Sequence, residues 1–253
     1  MNNLLRNIGL SALTFINRLI SGSLVYILLA RYISISDFGL LFTVGEETDF
    51  AGVKQIQQEI EALNAFIVVG EPTKLKPVSA HFGIITFLVI CTGKAAHSSD
   101  PSMGENAIDK LVTLLSGPIS TLKVHEESLL SLVQISGGVA DNIIPDQAEA
   151  LFSCRISPND MRDYVQEVQQ LVGEQAQVKK VLDIPSVASS VPESLSFLGD
   201  GQTVKYGTEL SFLKNGIVFG PGNIADAHGP DERIKKADLG LAVEAYQNML
   251  KQY

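Results

Sequence analysis

One stretch of the chain constrains its fold more than any other. Between residues 79 and 190, strand-like and helix-like patterns follow one another in the order β-α-β-β-α-β. FGIITFLVICTG is a continuous apolar run rich in β-branched residues, and residues 104–117 carry Ala107, Ile108, Leu111, Val112 and Leu115 at helical spacing. LLSLVQISG and AEALFSCRIS follow as two strands without a helix between them. Ser157-Pro158 then offers an N-cap and a first-turn proline for a second helix, with Met161, Tyr164, Val165, Val168 and Leu171 on one stripe. VKKVLDI closes the unit. That order predicts a ferredoxin-like α+β sandwich.

On either side the text is of α/β type. LLFTV at 40–44 ends at Gly45, AGVKQIQQEIEAL at 51–63 suits a helix, and AFIVV at 65–69 is a second buried-strand signal. Strand, helix and strand in succession imply a parallel sheet. GIVFGPG at 216–222 returns to a strand. A helix over 236–252 places Leu239, Val243, Tyr246 and Leu250 on one side. Residues 40–78 plus 191–253 therefore read as one α/β unit, interrupted by the 79–190 insert. In such sheets ligands bind beyond the carboxyl ends of the strands.

The 253 residues are 45% apolar, which excludes a wholly disordered chain. Their net charge of −9 argues against a nucleic-acid partner. Cys91 and Cys154 are too few for a disulfide framework and suggest a reducing, cytoplasmic compartment. Charge is uneven: residues 1–39 carry Arg6, Arg18, Arg31 and Asp37. From residue 8 to 33 almost every residue is apolar or small, long enough for a spanning helix but interrupted by Asn17 and Arg18. Residues 1–39 thus form a separate apolar segment, either membrane-seeking through residues 4–33 or a buried helix. Its ending, LLARYISISDFG, resembles the first helix of bacterial polysaccharide flippases.

Five short stretches could carry chemistry. Gly45-Glu46-Glu47 puts two carboxylates after a strand, where one can bind a cation while the other moves protons. In Gly70-Glu71-Pro72-Thr73, Pro72 restricts the backbone of Glu71 and so fixes where its carboxylate points. His97, in GKAAHSS, is an oxyanion donor or a surface histidine. GGVADNIIPD offers Asn142, and Arg155 on the next strand offers a planar fork for a carboxylate. FGPG followed by AHGPDE holds His228 in a stiff loop, as a metal ligand or a lone loop histidine. Taken singly, each has an ordinary structural reading: a solvated acid, a turn, a strand cation.

These motifs in this order resemble the zinc-dependent aminoacylase, acetylornithine deacetylase and succinyl-diaminopimelate desuccinylase family of metallopeptidases. The resemblance covers roughly residues 40–253 and is nearest to the deacetylase and desuccinylase branch. It implies a partial zinc-exopeptidase-like sheet with an inserted dimerisation domain. It also implies hydrolysis of an N-acyl amino acid or dipeptide, a homodimer, and two zinc ions per site, with cobalt as an alternative. By motif, Glu46 would be the general base and His97 the oxyanion donor, often serving the partner subunit. Glu47, Glu71 and His228 would be metal ligands. Asn142, Arg155, Thr208 and Glu209 would bind substrate, the last two from an element like the family's GTE.

The departures matter as much. The family carries a His-x-Asp and a further, bridging Asp upstream of its Glu-Glu pair. Here the only acid before Glu46 is Asp37, and no histidine precedes His81. His81-Phe82-Gly83 also stands where the family more often has Lys after the histidine. The pattern predicts a truncated or rearranged member with an incomplete metal site and little hydrolase activity. A non-catalytic dimerisation module, a membrane-tethered protein and a gene-fusion remnant are the competing expectations.

Overall fold

The computed structural model describes residues 26–30, 39–43, 45, 50–213 and 215–252. Glu46 and Glu47 lie outside the described residues, as does most of the 1–39 segment. The chain divides into two compact units: residues 1–80, 189–203 and 208–253, and residues 81–188 with 204–207.

The first unit holds strands β1 (Tyr26–Ala30), β2 (Gly39–Phe42), β3 (Phe66–Val69) and β4 (Val78–His81), the last running to the unit's edge. Helix α1 (Ala51–Leu63) joins β2 to β3. Its boundaries match the sequence pattern, and Asn64 ends it with φ 48°, a left-handed conformation that asparagine tolerates. The sheet differs from the all-parallel expectation. β3 is parallel only to a late strand, Gly216–Val218, while β1 lies between β2 and β3 and runs antiparallel to both. Tyr26–Ala30 is thus a strand, not part of a helix, because its backbone is taken up by Ile27↔Val69 and Leu28↔Val68 pairing. Among the described residues no helix is long and apolar enough to cross a membrane.

The second unit has β5 (Gly83–Thr92), β6 (Ala96–His97), helix α2 (Ala107–Ser116), β7 (Leu129–Gly137), β8 (Ile143–Ile144), β9 (Gln147–Ile156), helix α3 (Tyr164–Val172) and β10 (Gln177–Ile184). Its main sheet runs β10-β5-β9-β7, with antiparallel neighbours throughout, which is the ferredoxin-like arrangement. β5 and β9 alternate buried and half-buried residues, so one face is apolar. That face carries Phe87, Val89, Phe152 and Cys154, with Phe87 stacked on Phe152 at 5.2 Å. Leu111 and Leu114 of α2 and Tyr164, Val168 and Val172 of α3 cover it. Asn106 caps α2 by accepting from the N–H of Ile108 at 2.9 Å.

Helix α3 does not begin at Ser157-Pro158. Ser157 Oγ donates to Glu127 at 2.6 Å and accepts from Asn159 N–H at 3.2 Å in a local turn, and Asp163 caps the helix by accepting from Gln166 N–H at 3.0 Å. Met161 is consequently 92% exposed rather than in the core stripe.

Short strands β11 (Val187–Ala188) and β12 (Gln202–Val204) precede β13 (Gly216–Val218), and helix α4 (Lys236–Leu250) ends the described chain. The buried face of α4 differs from the expected one. Ala242 and Met249 are buried, and Ala245 and Tyr246 pack on the Phe66, Val68, Ile217 and Phe219 cluster. Leu239 and Val243 are exposed. Tyr246 fixes the rotation: its hydroxyl donates to the Phe219 carbonyl at 2.7 Å and its ring meets Phe219 edge-on at 5.7 Å.

Candidate functional site

The carboxyl ends of the parallel pair β3 and β13 lie side by side, through Ile67↔Gly216 to Val69↔Val218. Two loops leave that edge together. Phe219 N–H donates to Val69 O at 2.8 Å, Lys74 N–H to Gly222 O at 2.8 Å and Leu75 N–H to Gly220 O at 3.0 Å. Thr73 Oγ1 donates to Gly220 O at 3.2 Å and accepts from Gly220 N–H at 3.1 Å. The approach is so close that a Cβ on Gly220 would stand 2.6 Å from the Glu71 carbonyl. The half-buried Glu71 is therefore carried on a doubly braced turn. His228 follows six residues after Gly222, exposed and with φ 58°. Its N–H donates to Glu232 Oε2 at 3.3 Å. The sheet thus sends Glu71 and the His228 loop out from the same edge. A cavity of about 300 Å³ adjoins this loop pair, lined by Lys74, Asn223, Asp226, Arg233, Lys235 and Asp238 among others. Arg233 pairs with Asp226 there at 3.6 Å.

Glu46 and Glu47 belong to a segment described only at its flanks. Gly45 O accepts from Phe50 N–H at 2.8 Å, and Thr43 Oγ1 donates to Glu209 Oε1. Thr208 and Glu209 are both 0% exposed. Thr208 Oγ1 accepts from Leu210 N–H at 3.2 Å. Burial raises the Glu209 carboxyl above its ordinary range, opposed by the Thr43 hydroxyl. The two residues expected to meet substrate are therefore interior residues within this unit. Nothing in the sequence around Thr43 marks it for its bond to Glu209.

Zinc requires three or four placed donors. Among the described residues no group of three His, Cys, Asp or Glu side chains is arranged to hold a metal ion. Glu71 and His228 are two residues of the expected set and Glu47 lies outside the described residues, so the described donors alone are fewer than a zinc centre needs.

In the second unit His97 and Asn142 are brought together. The β6–β8 ribbon pairs His97 with Ile143, and Ser98 N–H donates to Asn142 O at 3.0 Å. The loop is rigid, since Lys94 and Glu105 exchange both backbone bonds at 2.9 Å and Lys110 meets Glu105 at 2.6 Å. His97 Nδ1 accepts from Ser99 N–H at 3.1 Å and lies 2.8 Å from Ser99 Oγ. In the neutral ring this leaves the proton on Nε2 of the exposed His97, a hydrogen-bond donor. Arg155 is not part of this group. It lies at the far end of β9, opposite Ile84 and Leu129, whereas the His97 ribbon leaves from the Thr92↔Gln147 end. Eight strand steps, about 26 Å, separate Arg155 from Gln147.

The family profile described as Peptidase dimerisation domain matches residues 79–179. A protein named "Probable carboxypeptidase" from Aspergillus clavatus is 34% identical over 244 residues, covering 85% of this chain and 58% of that protein. One of the same name from Talaromyces marneffei is 30% identical over 250 residues, covering 84% and 55%. The chain thus spans little more than half the length of these relatives. Among solved structures, the aminopeptidase PepT of Bacillus cereus has a TM-score of 0.66 at 18% identity, covering 85% of this chain and 64% of that one. A Staphylococcus aureus tripeptidase gives 0.64 at 22%, covering 84% and 64%. A Bacillus subtilis dinuclear metal-binding peptidase of the M20 family gives 0.59 at 17%, also covering 84% and 64%. The fold is therefore the mixed α/β fold of these peptidases with its dimerisation domain.

Proposed function

We propose that this chain is part of a metal-dependent peptidase or amidohydrolase that cleaves an amide next to a carboxylate, in an N-acyl amino acid or dipeptide. In this reading residues 79–190 are its dimerisation domain, and 40–78 with 191–253 part of its catalytic domain. The observation that carries the reading is the shared sheet edge from which Glu71 and the His228 loop emerge. Glu71, His228 and Glu47 are the remaining metal ligands, for zinc or cobalt, and Glu46 moves the proton. His97 supplies the Nε2–H donor and Asn142 its neighbouring amide. Arg155, at the other end of β9, reads a carboxylate in a different place. Thr208 supports the substrate side of the catalytic unit.

By itself this chain has low hydrolase activity in our reading, because no His-x-Asp precedes Glu46 in it. The test is zinc content by mass spectrometry on metal-loaded, dialysed protein, with hydrolysis of N-acetylornithine and of a dipeptide beside it. Expected are less than one zinc per chain and turnover near the blank. Stoichiometric zinc lost in Glu71→Ala, with turnover at an ordinary enzyme rate, would overturn the reading of low activity.

A second role, as a pairing module, rests on β7. Among the described residues this strand has one neighbour in the main sheet, and it exposes Leu129, Leu132, Val133 and Ile135. It fits a homodimer.

A further inference from the structure

Lys74 and Leu75 both hold a left-handed backbone at φ 58°, and neither is glycine. Among the described residues five non-glycine residues share that region. Phe50 and Asn64 flank helix α1, while Lys74, Leu75 and His228 lie in the two loops that leave the β3–β13 edge. Such conformations persist only where neighbouring bonds enforce them, and they gather at sites that clamp a ligand. Here Lys74 N–H donates to Gly222 O at 2.8 Å, Leu75 N–H donates to Gly220 O at 3.0 Å, and Thr73 bridges to Asn223. The facing wall is fixed on the same glycine. A Cβ on Gly222 would stand 3.4 Å from Pro72 Cβ and 3.5 Å from Ile234 Cδ1, so Ile234 packs on the turn and keeps its neighbours Arg233 and Lys235 beside it.

Between these walls lies the cavity of about 300 Å³, the size of about ten waters and at the small end for a ligand site. Three cations, Lys74, Arg233 and Lys235, line it against two acids, Asp226 and Asp238, an excess of one positive charge in a chain of net charge −9. Among the described residues no carboxylate lies within ion-pair distance of Lys74 or Lys235. Arg233 reaches Asp226 only at 3.6 Å with its side chain 75% exposed, too long for a hydrogen bond and worth little. Glu232 accepts from the His228 N–H instead. Asn223 Oδ1 accepts from Ala225 N–H at 3.2 Å, which leaves the amide nitrogen as a donor. Three positive groups in one cavity repel one another, and an anion between them relieves that repulsion.

We infer that this cavity binds a small oxyanion, a carboxylate or a phosphate, through Lys74, Arg233 and Lys235, with Asn223 as a neutral donor. Arginine offers a planar fork and the lysines compact charges, and both anions accept either. A bound carboxylate would belong to an acidic substrate or product of the proposed hydrolase, and a bound phosphate to a free ion. The site shares its sheet edge with Glu71 but needs no metal.

The test is isothermal titration of the full chain, freed of metal on a chelating resin, with succinate and inorganic phosphate as separate probes and acetamide as a neutral control. Expected is one site per chain with a Kd of about 1 mM or tighter for at least one anion, and no saturable heat with acetamide. Binding should weaken about fivefold between about 0.05 M and about 0.5 M sodium chloride, as screening requires. Lys74→Met, Arg233→Gln and Lys235→Met should each weaken it about fivefold or more. Asp226→Asn should tighten it about threefold by removing a competing charge. Lys74→Gly suits the left-handed turn, so it should melt no lower than the parent chain and still bind as weakly as Lys74→Met. That pairing separates a ligand contact from a structural role, and it decides the matter if Lys74→Met folds poorly. Succinate binding tighter than phosphate assigns the site to an acidic substrate or product, and the reverse assigns it to the free ion. No saturable binding of either anion up to about 10 mM would overturn the inference, as would binding that Lys74→Met and Arg233→Gln leave unchanged. Because the titration uses metal-free protein, its failure leaves the reading of Glu71 and His228 standing, and failure of the zinc and hydrolysis assays leaves the anion site standing.

Discussion

Burial sets the protonation of several side chains, with consequences in opposite directions. His81 has no exposed surface, and its Nδ1 lies 3.0 Å from the Phe82 carbonyl. Burial holds it below its ordinary value despite that bond. The unfolded chain then takes up a proton that the folded chain refuses, so stability is full above about pH 6.5 and is lost as pH falls below it. Thermal melts from pH 7.5 to 5 should show this loss, and His81→Gln should flatten it. Glu209 works the other way. Its raised carboxyl favours the folded chain below the ordinary carboxylate range and disfavours it as pH rises through the folded value. Glu209→Gln should therefore raise the Tm at pH 8, by roughly 2–4 °C for each kcal/mol relieved, with the gain vanishing near pH 4. Cys154 is fully buried in the sheet, and burial pushes its thiol up to about 11, with the Asp160 charge adding to the effect. At pH 8 only about one thiol in a thousand would be ionised. Iodoacetamide should leave Cys154 unlabelled in the native chain and react with it in urea; rapid native labelling would show that the sheet opens.

At the scale of elements, the sequence was legible where a period alone decides and misleading where a single polar bond decides. The α1 and β7 boundaries and the β-α-β-β-α-β order followed from spacing, because each element buries one face on a common sheet. The start of α3 did not, since Ser157 closes a local turn with Asn159 while tied to Glu127 across 30 residues, and Asp163 takes the cap. The face of α4 did not either, because the Tyr246 hydroxyl bond to Phe219 turns Leu239 and Val243 outward. That rotation predicts unequal costs on one helix. Met249→Ala should cost about 2–4 kcal/mol in urea unfolding, whereas Val243→Ala, at a side chain 55% exposed, should stay within about 0.5 kcal/mol. The loop before α3 has its own brace. Asp160 accepts from Ser128 Oγ at 2.6 Å, Tyr164 Oη at 2.7 Å and Arg162 N–H at 3.2 Å. Burial alone would raise this carboxyl, but the three bonds and nearby His125 hold it below its ordinary range. Asp160→Ala should cost about 2–4 kcal/mol, because it also leaves buried hydroxyls without their acceptor. The measurement is the urea midpoint at constant slope.

For the whole molecule, the site motifs could be read singly but not their grouping. Glu71 and the His228 loop leave one sheet edge because β3 and β13 are parallel neighbours, and the backbones around His97 and Asn142 run side by side because β6 pairs with β8. Arg155 is separated by the length of β9, a distance that a motif list does not contain. One surface of the dimerisation domain follows the same logic. Among the described residues β7 is the last strand of its sheet, hydrogen-bonded to β9 alone, and its register slips between Leu132 and Gln134. Val133 and Ile135 are 54% and 56% exposed beside that open edge. An apolar edge strand invites pairing with another chain unless something covers it. A second copy of the same domain would cover it symmetrically, with each edge meeting its own kind. The full chain should therefore sediment at twice its 27.3 kDa mass. Ile135→Lys should shift it to a single copy with an unchanged far-UV spectrum, because a lysine there is solvated in the monomer but would be forced against its counterpart in the dimer. A dimer that survives both Ile135→Lys and Val133→Lys would mean that the pairing surface lies elsewhere on the chain.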